Sequence, residues 1–220
     1  MLDMLQGELF DGSAPLAQFP SFEDLEMPDA ELRLCRSFMP QKAAERAYEE
    51  LRADVDWQVE TYVMYGREIP SPRLTAWFGD IDSVYTYSGV RHEPNPWASM
   101  PLISALRASV EAAVGARFNS VLLNYYRNGR DSVAWHSDDE AELGAQPVIA
   151  SLSLGVPRVF QLKHRERTEL ERVDIELPGG SLLVMAGDCQ RYWCHQIPKR
   201  QKLRAGRINL TFRMCLGDQG

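Results

Sequence analysis

Arg207-Ile208-Asn209-Leu210-Thr211-Phe212-Arg213 (RINLTFR) alternates polar and apolar side chains along its whole length. A strand sends successive side chains to opposite faces. Ile208, Leu210 and Phe212 therefore share one face; Arg207, Asn209, Thr211 and Arg213 share the other. The apolar face asks for a core. The polar face asks for an anion, because a buried guanidinium is costly unpaired and its planar fork fits a carboxylate bidentately. Outward from this segment the β pattern recurs. Strands are predicted near residues 118–126, 132–136, 147–155, 157–163, 170–177, 181–185, 191–197 and 206–214, separated by Gly, Pro and charged turns. Many short strands punctuated this way predict a double-sheet jelly roll, the cupin-like double-stranded β-helix.

The amino-terminal side reads differently. Residues 1–30 are acidic, carry Pro15, Pro20 and Pro28 and show little periodicity, so an irregular segment is expected. A short strand is expected over Glu31–Phe38 and a helix from Pro40 to about Ala53, with Ala43, Ala44, Ala47 and Leu51 on one face. Trp57–Met64 reads as a strand and Gly66–Pro72 as a turn or loop. PRLTAWFGD (Pro72–Asp80) and SVYTYSG (Ser83–Gly89) follow, and Tyr85 and Tyr87 share a strand face. Leu102, Ile103, Leu106, Val110 and Val114 form the apolar stripe of a helix from about Met100, closed by Gly115. The fold class is α+β, mainly β, with supporting helices before the jelly roll.

One further stretch bears chemistry: Trp135-His136-Ser137-Asp138-Asp139-Glu140. Two residues apart on an extended strand, His136 and Asp138 point the same way. A bare H-x-D is common, and a histidine hydrogen-bonded in a turn explains it equally well. With a second imidazole, His195, it becomes two histidines and one carboxylate, the ligand set of non-haem Fe(II) oxygenases. A small dicarboxylate such as 2-oxoglutarate fits beside such an ion and against the arginines of 207–213.

The motifs LLNYY (Leu122–Tyr126), WHSDDE (Trp135–Glu140), IASLSLG (Ile149–Gly155), GGSLLVM (Gly179–Met185), WCHQIPK (Trp193–Lys199) and RINLTFR together resemble the AlkB family. These are Fe(II)/2-oxoglutarate dioxygenases that demethylate nucleic-acid bases. The resemblance runs from about Leu74 to the end; the amino-terminal region matches no recognition lid. It implies Fe(II) on His136, Asp138 and His195, with 2-oxoglutarate and O2 as cosubstrates. It implies Arg213 on the distal carboxylate, Arg207 and Asn209 on the end nearer the metal, and Asn124 and Tyr126 touching the cosubstrate. Tyr85 and Tyr87 fall in the implied nucleotide-recognition region, with Tyr87 stacking on the base. Glu140 is placed to read an exocyclic amine, and Arg165, in the run Lys163–Arg167, to meet a phosphate or the rim. Lys199, Arg200, Lys202 and Arg204 are expected along the backbone of the nucleic acid. Trp193 is expected to pack beneath the metal site, and Asp139 to be solvated. The implied organisation is one dioxygenase domain over 31–220, with recognition and supporting elements at 31–117 and the catalytic jelly roll at 118–214. The implied activity is repair of 1-methyladenine and 3-methylcytosine in DNA. Alternatives are the same chemistry on RNA or a protein side chain, or a non-catalytic jelly roll with a structural metal.

Charge is unevenly spread. The net charge is −7, but residues 1–60 carry 5 basic and 14 acidic side chains, whereas Gly155–Arg213 carries 12 basic and 6 acidic. The carboxy-terminal half thus offers a positive surface suited to phosphates. No apolar run approaches the twenty residues of a membrane span, so no membrane partner is expected. The first twelve residues place acid where a signal peptide has base. Cytoplasmic location, reduced Cys35, Cys189, Cys194 and Cys215, and a monomer are the expectations.

Overall fold

The structure, a computed structural model, describes residues 20–216 apart from 65, 66, 82, 84, 88, 89 and 93. For residues 62–68 and 84–93 only the backbone of the paired strands is described. The described chain opens on a hairpin of β1 (Glu23–Met27) and β2 (Ala30–Cys35), followed by helix α1 (Gln41–Asp54). Then come β3 (Thr61–Met64), β4 (Arg67–Pro70), β5 (Leu74–Gly79), β6 (Tyr85–Tyr87), β7 (Val90–His92) and β8 (Asn95–Pro96). Helix α2 (Pro101–Val114) leads into β9 (Ser120–Tyr126), β10 (Val133–His136), β11 (Ile149–Gly155), β12 (Arg158–His164), β13 (Val173–Leu177) and β14 (Leu182–Ala186). The short helix α3 (Cys189–Tyr192), β15 (Trp193–Ile197) and β16 (Arg207–Arg213) complete it.

Eight strands make one sheet, in the order β1-β2-β14-β11-β16-β9-β5-β8, and four make another, β10-β15-β12-β13. β3–β4 and β6–β7 form separate ribbons. The two larger sheets face each other across a core that joins Leu32, Leu34, Ile149, Leu183 and Met185 to Phe160, Leu162, Ile175, Leu177, Trp193 and Ile197. This is the double-stranded β-helix expected from the strand spacing. The outer face of the large sheet is covered by the helices. α1 lays Ala43, Ala44, Ala47 and Leu51 on it, and α2 lays Leu102, Ile103, Leu106 and Val110. Alanines on α1 let its backbone approach the sheet closely. Gly115 ends α2 at φ 76°, where a side chain would be strained, and its N–H caps Glu111 O at 2.9 Å.

β16 lies between β11 and β9, paired antiparallel to both. All seven of its residues are buried. Ile208, Leu210 and Phe212 enter the helix-side core. Arg207, Asn209, Thr211 and Arg213 therefore face the small sheet, an unusual load of polarity for a strand at the centre of a sheet. That polar face is where the site is built.

Two stretches differ from the sequence expectation. Glu23–Met27 is a strand, although it lies in the stretch expected to be irregular; residues 1–19 lie outside the described residues. As an edge strand it leaves most side chains in water, so no apolar alternation marks it. Arg67–Pro70, expected to be a turn, is a strand paired with β3. The large sheet also includes β1, β2, β5 and β8. No helix among the described residues is long and apolar enough to cross a membrane.

Candidate active site

β10 and β15 pair so that His136 stands opposite His195. That register alone brings two imidazoles together, with ring centroids 4.3 Å apart. β10 stops at His136, so Asp138 sits in the following loop rather than on the strand. Its carboxylate still returns to the histidines: Asp138 Oδ1 is 3.8 Å from His136 Nε2. One potential ligand atom from each of His136, Asp138 and His195 lies within 4.8 Å of the others. The backbone holds Asp138 through Gln190, whose Oε1 accepts from Asp138 N at 3.0 Å.

The protonation states suit a cation. His136 Nδ1 lies 2.8 Å from Ala134 O, so a donating Nδ1–H leaves a lone pair on Nε2. His195 is 4 % exposed, and its Nδ1 has no hydrogen-bond partner. Burial, reinforced by the charge on His136, pulls its pKa down to about 3, so at neutral pH it is a neutral imidazole. Burial pushes the Asp138 carboxyl up, but Arg213 and the two histidines outweigh it and hold the pKa at about 2. Two imidazoles and one carboxylate, with ligand atoms within 4.8 Å of one another, are the donor set that Fe(II) takes in oxygenases. The residues fit the ion.

The arginines do not sit as expected. Arg213 Nη2 is 2.9 Å from Asp138 Oδ1, with both side chains buried. Arg213 thus stands beside the metal ligands, not at the distal end. Arg207 is six residues away on the same strand, roughly 20 Å along the backbone, and so approaches from the far end. Alternation places both residues on one face but does not set its direction relative to the trio. Arg207 is 1 % exposed and lies 5.4 Å over the Tyr126 ring. Its Nη2 donates to Ser153 Oγ at 2.9 Å, while Nε and Nη1 have no hydrogen-bond partner. Burial lowers its pKa to about 10, which leaves it charged at neutral pH. Among the described residues it forms no ion pair. A buried cation with donors to spare is a seat for an anion.

Asn124 and Asn209 face each other in register, as do Tyr126 and Arg207. Asn209 Nδ2 donates to Ser151 Oγ at 2.8 Å and Leu152 O at 3.1 Å. Asn124 Oδ1 accepts from Arg73 Nε at 2.6 Å. Arg73 is itself buried at this wall. Arg158 went unnoticed in the sequence. It packs 5.4 Å over Tyr126 and donates to Asp131 O at 3.0 Å and Pro198 O at 2.7 Å. The signal was present: Arg158, Phe160 and Leu162 alternate on β12 as the inward face does on β16.

The trio, Arg73, Asn124, Tyr126, Asn209 and Arg213 border a cleft of about 690 Å³. His136, Asp138, His195, Asn124, Asn209 and Arg213 line its polar end; Trp77, Leu122, Val133, Ile197 and Pro198 line its apolar walls. Glu140 and Lys199 also line it. Arg200, Lys202 and Arg204 are exposed on the loop that follows, and this loop is bound to the 127–132 loop by Arg200 N to Gly129 O (2.7 Å) and Gly129 N to Leu203 O (2.9 Å). Trp193 fills the inter-sheet core and donates to Pro28 O at 2.9 Å. Tyr85 and Tyr87 are on β6, but their side chains lie outside the described residues. Arg165 does not project into the cleft as a free cation. It is bound to Asp139 at 2.8 Å, so neither residue is merely solvated.

Fold and donor set define a jelly-roll oxygenase with a two-histidine, one-carboxylate iron site. The model of the 2OG-Fe(II) oxygenase superfamily matches residues 31–213. Alpha-ketoglutarate-dependent dioxygenase alkB homolog 3 of Bos taurus is 44 % identical over 193 residues, covering 84 % of this chain and 66 % of that protein. The Homo sapiens protein of the same name is 42 % identical over 201 residues, covering 87 % and 69 %. DNA oxidative demethylase ALKBH2 of Bos taurus is 36 % identical over 182 residues, covering 79 % and 65 %. A solved structure of OsALKBH1 shares the fold, with a TM-score of 0.57 at 15 % identity, covering 88 % of this chain and 100 % of that one. The chain belongs to the AlkB family of Fe(II)/2-oxoglutarate dioxygenases, and Fe(II), 2-oxoglutarate and O2 are the cofactors that membership implies. It spans about two thirds of the length of these curated relatives.

Proposed function

We propose that the protein removes methyl groups oxidatively from the ring nitrogens of nucleic-acid bases, with 1-methyladenine and 3-methylcytosine in DNA as substrates. The observation that carries this is the His136–Asp138–His195 trio lining a cleft of about 690 Å³ with apolar walls, together with a buried Arg207 two of whose nitrogens lack hydrogen-bond partners. When bound, Fe(II) with 2-oxoglutarate and O2 supplies the oxidation of the N-methyl carbon. The products are then the repaired base, formaldehyde, succinate and carbon dioxide. Arg207 takes the distal carboxylate of 2-oxoglutarate. Arg213 keeps Asp138 ionised and oriented and presents charge to the end nearer the metal. Trp77, Leu122 and Val133 exclude water and accept the face of a base turned out of its stack. Glu140 accepts from the exocyclic amine that adenine and cytosine share. Tyr85 and Tyr87 are the candidates for stacking on the base.

The test is formaldehyde release from an oligonucleotide carrying 1-methyladenine. Release that requires both Fe(II) and 2-oxoglutarate is expected. Succinate without formaldehyde would move the substrate to another class, such as a protein side chain.

The exposed cations beside Lys199 supply the phosphate contacts in this reading. Replacing Lys199 and Lys202 together by alanine is expected to lower the slope of log affinity against log salt by about 1.4 on a single strand, two contacts at about 0.7 each. Titrations of an unmodified oligonucleotide at several salt concentrations measure it; an unchanged slope would put the backbone elsewhere.

A further inference from the structure

We propose that Arg165 is a positioning residue for the metal centre, tying the loop that carries Asp138 to the strand that carries His195. This rests on the metal reading of the trio and concerns what holds it in place. Arg165 opens the turn after β12, and its own N–H is fixed to Tyr192 O at 2.7 Å. From there one guanidinium reaches four acceptors. Nη2 donates to Ser137 Oγ and, at 2.8 Å, to Asp139 Oδ2. Nε lies 3.3 Å from Cys194 Sγ, and Nη1 3.3 Å from Arg191 O. Ser137 and Asp139 are the two chain neighbours of Asp138, and Cys194 is the neighbour of His195.

The site needs such a tie. His136 and His195 are held by the β10–β15 ladder, but Asp138 lies beyond the end of β10. Among the described residues the Asp138 loop is held to the site by Gln190 on Asp138 N, by Arg213 on the Asp138 carboxylate and by Arg165. A planar fork with fixed donors can lock two segments at once; an ammonium on a flexible stem cannot. The side chains of Arg165 and Asp139 are 38 % and 46 % exposed, so their ion pair adds little to folding. Its contribution is geometric, and it shows in metal affinity rather than stability.

The experiment is Mn(II) titration of the metal-free full chain, with melting curves and binding of an unmodified oligonucleotide in parallel. Arg165→Ala is expected to weaken Mn(II) binding by about tenfold, the lower end of what outer contacts of metal ligands contribute. Arg165→Lys is expected not to restore it. Asp139→Asn is expected to weaken Mn(II) binding in the same direction, and the double variant to be no worse than Arg165→Ala, because both remove one interaction. Oligonucleotide binding and melting temperature stay close to the parent. Mn(II) binding unchanged in Arg165→Ala overturns the proposal, and weakened oligonucleotide binding alone would make Arg165 a phosphate contact. If Arg165→Ala does not fold, Asp139→Asn decides on the same terms. A parent chain that binds no Mn(II) would instead remove the metal reading itself.

Discussion

Asp138→Ala is expected to lose turnover by at least about a thousandfold, or roughly 4 kcal/mol of barrier. Only three ligand atoms converge in the trio, and Asp138 supplies its one negative charge. Two imidazoles alone hold a hard divalent ion poorly. A second effect runs through Arg213, which is 4 % exposed and ion-paired to Asp138 at 2.9 Å. Removing one partner of a buried pair costs about 3–5 kcal/mol. The variant is therefore expected to melt lower as well as to fail. Succinate release and the melting curve are measured on the same preparation. A folded variant without succinate assigns the loss to the ion site; parent-like turnover would refute the ligand assignment.

Arg207→Met is expected to separate function from stability in the opposite sense. Arg207 is buried, charged, and has two nitrogens without hydrogen-bond partners. Exchanging a buried, incompletely compensated charge for an apolar side chain of similar volume is often neutral or stabilising. The melting temperature of the ligand-free variant is expected to stay level or rise. The 2-oxoglutarate requirement is expected to rise by about a hundredfold or more, since losing a desolvated guanidinium–carboxylate pair costs about 3 kcal/mol. Steady-state kinetics over a range of 2-oxoglutarate and a thermal melt check both halves. An unchanged requirement would seat the diacid elsewhere. A protein can carry such a cation because its function demands it.

What was legible in the sequence follows from what period two reports. RINLTFR disclosed a strand with an apolar and a polar face, and both are found. The strands from β9 onward fall close to their expected ranges, because buried strands on either side of a core must alternate or run apolar. β1 did not show itself because an edge strand of EDLEM exposes most of what it carries. β4 was hidden by Pro70 and flanking charges, which read as a turn. At the site, the residue types of the trio were visible, but not the β10–β15 register that brings His136 against His195. The closeness of Arg213 to Asp138 was hidden for a similar reason: alternation fixes which face a side chain takes, not which end of the strand meets the trio. Arg165 looked like one member of a solvated basic run, since its partners Ser137 and Asp139 lie more than twenty residues upstream.

The account depends on three side chains from separate segments holding one ion, with a diacid spanning from that ion to Arg207. Crystals grown without oxygen in Fe(II) and 2-oxoglutarate test it most directly. The expected density is one metal bound by His136, Asp138 and His195, with the distal carboxylate of 2-oxoglutarate on the Arg207 guanidinium. His195 turned away from the metal, or the diacid bound with Arg207 untouched, would contradict it.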